Sequence, residues 1–73
     1  MSVRQHEPGV VAAFDDAVGV GRILDASGAL VPFHCVSIVD GTRWIAEGTA
    51  VTFTRRLGPS GLLEAVDVGA GPR

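Results

Sequence analysis

Glycine and proline interrupt this chain so often that a helix of ordinary length has no room to form. Ten Gly and four Pro separate short runs rich in Val, Ile, Phe and Thr, the composition and length of β-strands punctuated by turns. Five strands are expected. The first covers residues 9–15 and the second residues 19–24, with Asp16, Ala17 and Val18 turning between them as a hairpin. Asp25, Ala26, Ser27 and Gly28 supply the next turn, because Asp and Ser bond nearby backbone groups and Gly accepts positive φ. A third strand at 29–34 completes a meander. The connection over 35–48 holds Asp40-Gly41 and a single 3₁₀ turn near 36–39. The fourth strand, 49–56, alternates: Val51 and Phe53 point one way, Thr52, Thr54 and Arg56 the other. Gly58, Pro59, Ser60 and Gly61 turn the chain into a fifth strand at 62–68, in which Val66 and Val68 share a face.

A chain of 73 residues buries only about 60% of the surface its unfolded form exposes, so one small domain is the limit and a deep enzyme cleft is excluded. Five short strands cannot bury their apolar faces in one flat sheet, and closing them removes the exposed edges. The expected fold is all-β, a small five-stranded antiparallel barrel of the OB-fold type. From pattern alone an SH3-like barrel is the alternative. The expected interior is Val11, Ile23, Val31, Phe33, Ile38, Ile45, Val51, Phe53, Val66 and Val68. Residues 1–8 read as an N-terminal arm, 9–68 as the barrel and 69–73 as a frayed C-terminal tail.

Composition narrows the functions. Six arginines, no lysine and eight acidic residues leave a formal charge of -2, so the basic excess behind most sequence-independent nucleic-acid binding is missing. Any such role must rest on local charge. Cys35 is the only cysteine, which excludes a disulfide framework and a multi-cysteine zinc site in the monomer. No apolar stretch approaches the roughly 20 residues that span a bilayer, and residues 1–8, with Arg4, His6 and Glu7, lack an apolar signal core. A cytoplasmic protein with no membrane contact and no cofactor is expected.

Several short motifs then stand in one order. Gly9-Val10-Val11-Ala12-Ala13-Phe14-Asp15 is similar to Gly-x-Val-Lys-Trp-Phe-Asn, and Val18-Gly19-Val20-Gly21-Arg22-Ile23 to Lys-Gly-Phe-Gly-Phe-Ile. Val31-Pro32-Phe33-His34-Cys35 stands where Val-Phe-Val-His-Phe falls. Glu47-Gly48-Thr49-Ala50-Val51-Thr52-Phe53 is similar to Glu-Gly-Gln-x-Val-x-Phe, and Glu64-Ala65-Val66-Asp67-Val68 to Gln-Ala-x-Asn-Val. Over residues 9–68 the chain resembles the cold-shock domain family. The resemblance implies a five-stranded barrel that binds single-stranded RNA or DNA by stacking bases on an exposed sheet face.

The stacking residues themselves are largely replaced. On this alignment Ala12 and Val18 stand at two family lysines, Ala13 at the tryptophan, and Val20, Arg22, Pro32 and Cys35 at four phenylalanines. Phe14 and His34 persist. Base stacking contributes roughly 1–3 kcal/mol per base, so about four lost platforms remove roughly 4–12 kcal/mol, comparable with a whole micromolar complex. Arg22 offers partial compensation, since a guanidinium plane stacks on a base and pairs with phosphate at once. Arg43 and Trp44 lie where the family carries an aromatic and a lysine, and Arg56 borders the same face. The candidate nucleic-acid contacts are therefore Phe14, Arg22, His34, Arg43, Trp44 and Arg56.

Each has a blander reading. A lone Trp is most often a core or semi-core anchor, a His at a strand end makes a local hydrogen bond, and Arg55-Arg56 marks a solvated edge. His34 and Cys35, adjacent on a strand, point to opposite faces and form no nucleophile and base. His6, His34 and Cys35 lack zinc-ligand spacing. Gly19-x-Gly21 precedes a strand and serves close packing, and Asp15-Asp16 forms a turn. No constellation supplies a nucleophile, base and oxyanion donors, so an enzyme is not expected. The readings that remain are a divergent cold-shock-like module binding single strands weakly on strands 1–3, or a protein-interaction or homodimer module. The second rests on Ala12, Ala13, Val20 and Pro32, which leave that face neutral and apolar.

Overall fold

A computed structural model describes residues 6–59 and 61–70. The strands are β1 (Glu7–Asp15), β2 (Val20–Asp25), β3 (Leu30–His34), β4 (Ala50–Leu57) and β5 (Leu63–Ala70). A 3₁₀ turn at Cys35–Ser37 is the helical element among the described residues. The strands close into a barrel in the order β1-β2-β3-β5-β4. β1 starts at Glu7 and β5 runs to Ala70, so the barrel takes in Glu7 and Pro8 from the expected arm and Gly69 and Ala70 from the expected tail. The rest of that arm except His6, the rest of that tail, and Ser60 of the last turn lie outside the described residues.

The pairing corrects one expectation. β1 pairs antiparallel with β2 and β4, β2 with β3, and β4 with β5, but β3 meets β5 in parallel at Phe33 and Ala65. The parallel bridge from Ile38 to Val68 continues that seam. The cause is parity: an odd number of strands cannot alternate direction all the way round a ring. A closed five-stranded barrel therefore contains a parallel neighbour pair.

Nine side chains form the core: Val11, Ile23, Val31, Phe33, Ile38, Val51, Phe53, Ala65 and Val68. On β2, β3 and β4 they follow period-2 alternation, as expected of strands with one wet face. β5 departs from it, since Ala65 and Val68 are buried while Val66 is only half-buried. Between the pairs Thr52 to Gly69 and Thr54 to Val66, Phe53 faces two residues of β5, and Asp67 sits there at φ 53. This bulge inserts one residue and moves the inward position from Val66 to Ala65. Ile45, expected inside, packs half-buried against the core from the connection.

Arg55 ties three strands together. It donates through Nε to Glu7 Oε2 at 2.7 Å and through Nη2 to Glu7 Oε1 at 3.0 Å, and Nη2 also bonds Asp25 Oδ2. Its guanidinium carbon lies 5.8 Å from the centroid of the Phe53 ring, within cation–π range. Asp25 accepts from the Ser27 amide at 2.9 Å, the Ser27 hydroxyl at 2.7 Å and the Ala29 amide at 2.9 Å. These bonds, with Ser27 first and Arg55 second, hold the Asp25 carboxyl well below the usual carboxylate range. The two carboxylates in turn push the Arg55 guanidinium, already basic, further up.

Candidate nucleic-acid interface

The outer face of β1, β2 and β3 is assembled in cross-strand rows. Val20 lies opposite His34, Arg22 opposite Pro32, and Leu24 opposite Leu30. On the β1 side Val10 meets Leu24, Ala13 meets Arg22 and Phe14 meets Gly21. The register slips between Val11 and Ala13, so Ala12 is an extra residue on β1, and the slip decides where Phe14 points. Cross-strand partners share a face, and Gly21 is buried, so Phe14 turns toward the barrel end and is half-buried there. Its ring stacks on Phe33 with centroids 6.0 Å apart.

Gly21 makes that stack possible. A Cβ on it would lie 2.7 Å from the Phe33 ring and 2.6 Å from the Ala13 carbonyl oxygen. Gly19 serves in a different way: its φ is 71, and a Cβ would come within 2.8 Å of Cys35 Sγ. Its carbonyl accepts the Cys35 amide at 2.8 Å. Cys35 is thus a packing residue under the hairpin turn.

Phe14 and Arg22 line one open groove of about 750 Å³, together with Ala13, Val20 and Pro32. Asp15, Asp16 and Glu47 line it too. In the sequence Glu47 stands out only by its place in a motif, yet its carboxylate accepts the Phe14 amide across the groove at 3.4 Å. Asp15 turns its carboxylate onto the amides of Ala17 at 3.0 Å and Val18 at 3.4 Å, the turn-forming role expected of it. The groove therefore sets one cation among three carboxylates. Arg22 is exposed and has no carboxylate partner among the described residues.

The other candidates are not gathered there. His34 is exposed at the end of β3, beside Val20, so it borders the groove. Trp44 lines a separate, mostly apolar hollow of about 440 Å³ with Ile38, Val39, Val68 and Ala70. It is 54% exposed, so this Trp is not a buried core anchor. Its loop is built by Asp40, which accepts from the Thr42 amide at 2.9 Å and hydroxyl at 2.8 Å. Those bonds hold the Asp40 carboxyl below its ordinary value. Arg43 sits in the same loop at φ 61. Arg56 lies on a third hollow and pairs with Glu64 at 3.3 Å. Among the described residues no cluster of His, Cys, Asp and Glu is arranged to hold a metal ion, and no helix is long and apolar enough to cross a membrane.

A closed five-stranded barrel with this face is a cold-shock-domain-like fold, the fold of a nucleic-acid-binding domain family and not of an enzyme family. The chain is similar to a solved structure of cold-shock domains 4–6 of Drosophila Unr, at a TM-score of 0.77 and 26% identity over 94% of its length. It spans 28% of that solved chain. No protein-family model and no curated protein sequence matches it.

Proposed function

We propose that this chain is a divergent cold-shock-type module that binds single-stranded RNA or DNA weakly, in the cytoplasm, on the outer face of β1, β2 and β3. The observation that carries the reading is Arg22, an exposed cation with no carboxylate partner among the described residues, in the same groove as Phe14. The guanidinium supplies one phosphate or stacking contact, the exposed edge of Phe14 a second, and His34 borders them. Weakness follows from the same geometry. The aromatic positions carry Ala13, Val20 and Pro32, Phe14 spends much of its ring on Phe33, and three carboxylates line the groove. Each of them repels phosphate.

The test is a titration of a labelled single strand of about 10 nucleotides, a length within the span of one such barrel, at several salt concentrations. The expected dissociation constant at physiological salt is weaker than about 1 μM. Arg22→Ala is expected to cost roughly 1–3 kcal/mol and to reduce the salt slope by about one counterion. A nanomolar constant, or an Arg22→Ala variant that binds like the parent with the same slope, overturns the reading.

A further inference from the structure

We propose that Glu47 makes this groove select guanine among the bases of a single strand, a role that rests on the single-strand reading above. Charge along the groove decides which part of a nucleotide lies where. Asp15 stands opposite Val20, Phe14 opposite Gly21 and Ala13 opposite Arg22, so Arg22 is two residues along β2, about 7 Å, from the row that opens the acidic turn. Asp15, Asp16 and Glu47 line the same groove. A phosphate is drawn to Arg22 and repelled by the carboxylates, which leaves base edges to meet them. An ionised carboxylate only accepts hydrogen bonds, so the base edges it admits are those that donate.

Of the three carboxylates, Glu47 is the one placed beside the stacking residue. Oδ1 of Asp15 already accepts the Ala17 and Val18 amides, and Asp16 belongs to the turn beyond β1. Glu47 accepts the Phe14 amide through Oε2 at 3.4 Å, which sets its carboxylate against the backbone of the residue whose ring a base would meet. Among the described residues it has no cation partner, and its Oε1 accepts no hydrogen bond. A base lying on the exposed edge of Phe14 therefore turns its own edge toward a carboxylate with acceptor capacity to spare.

The Watson–Crick edges of the bases are unequal before a carboxylate. Guanine offers two adjacent donors, N1–H and the 2-amino group, which match the two oxygens of one carboxylate. Cytosine and adenine each offer one amino group next to a ring nitrogen that accepts. Thymine and uracil offer one N–H flanked by two carbonyl oxygens, and a carboxylate repels both. Hydrogen bonds to an ionised acceptor are also stronger than neutral ones. Glu47 thus repels the backbone of every strand and holds the edge of one base, which makes it a specificity-determining residue in a site of low affinity.

The experiment titrates the full chain into labelled DNA strands of about 10 nucleotides, in which thymine alternates with guanine, hypoxanthine or cytosine, beside an all-thymine strand. Hypoxanthine is guanine without the 2-amino group. The guanine strand is expected to bind at least about fivefold tighter than the thymine strand, with the hypoxanthine and cytosine strands between them. Removing any carboxylate from the groove raises affinity for all strands, so the ratio between strands is the readout. Glu47→Gln, whose amide presents one donor and one acceptor, should bring the guanine and thymine strands within about twofold of each other. Asp16→Asn should tighten both alike and keep their ratio. Should Glu47→Gln not fold, the hypoxanthine strand on the parent protein decides. Equal binding of the guanine and thymine strands overturns the selectivity while the single-strand reading stands. Equal binding of the guanine and hypoxanthine strands assigns the preference to Arg22 on O6 and N7 and overturns the role of Glu47, as does a preference that survives Glu47→Gln. Failure of every strand to bind overturns the functional reading and the selectivity with it.

Discussion

The ring of Phe14 lies 6.0 Å from the ring of Phe33 and 17° from parallel with it. One ring lines the groove and the other is a fully buried part of the core, so groove and core share a wall. Phe14→Ala should therefore lose stability as well as binding. Large core aromatics cost roughly 3–5 kcal/mol when truncated to Ala, and a half-buried ring with one aromatic partner should cost about 2 kcal/mol. Denaturant unfolding checks the first effect. The single-strand titration, run on the folded fraction, checks the second.

Gly21→Ala is expected to be more damaging than its one added methyl suggests. The new Cβ meets the Phe33 ring at 2.7 Å on one side and the Ala13 carbonyl oxygen at 2.6 Å on the other. The ring has nowhere to go without breaking its stack on Phe14, and the backbone oxygen moves only with β1. Overpacking costs roughly 1–3 kcal/mol, and the upper end is expected. Gly28→Ala, at a glycine whose added Cβ meets nothing within 4 Å, separates sterics from backbone strain. It should be milder, although its φ of 90 still carries a conformational cost.

Most of the barrel was legible because alternation encodes burial directly. Val51 and Phe53 read inward from the sequence and are inward in the structure. What the alternation hides is an inserted residue. Asp67 at φ 53 moves the β5 core position to Ala65, and Ala12 turns Phe14 toward Phe33. Neither carries a glycine to announce a bulge. The groove was half legible for the same kind of reason. Arg22 follows from its place in a strand, but Glu47 reaches the Phe14 amide from 33 residues away, and no local pattern reports so distant a contact.

Acid should unfold this protein partly through Asp25. Its carboxylate is stabilised by Ser27, Arg55 and Ala29 in the native state only, so its folded pKa lies below the unfolded value near 4. That contribution is fully present above pH of about 4 and is lost as pH falls toward the folded value. The denaturation midpoint is expected to decline steadily below about pH 4. Asp25→Asn should lower the midpoint at neutral pH and flatten the decline. A variant with the parent's acid profile would show that the carboxylate bonds do not persist in solution.

Trp44 provides a spectroscopic test of where the single strand lies. It is the only tryptophan, 54% exposed, and it lines the hollow beside Ile38, Val39 and Ala70, apart from the groove that holds Phe14 and Arg22. Its emission should therefore be red-shifted and open to quenching by acrylamide in the free protein. Stacking a base on an indole quenches it and protects it from a second quencher. With the strand held at Arg22 and Phe14, saturating single strand should leave both the emission and the acrylamide quenching of Trp44 unchanged, and Trp44→Ala should bind within about twofold of the parent. A loss of more than roughly 1 kcal/mol on Trp44→Ala, the lower bound for a stacked base, together with quenching by the strand, would extend the interface across the 35–48 connection and make Arg43 the next residue to replace.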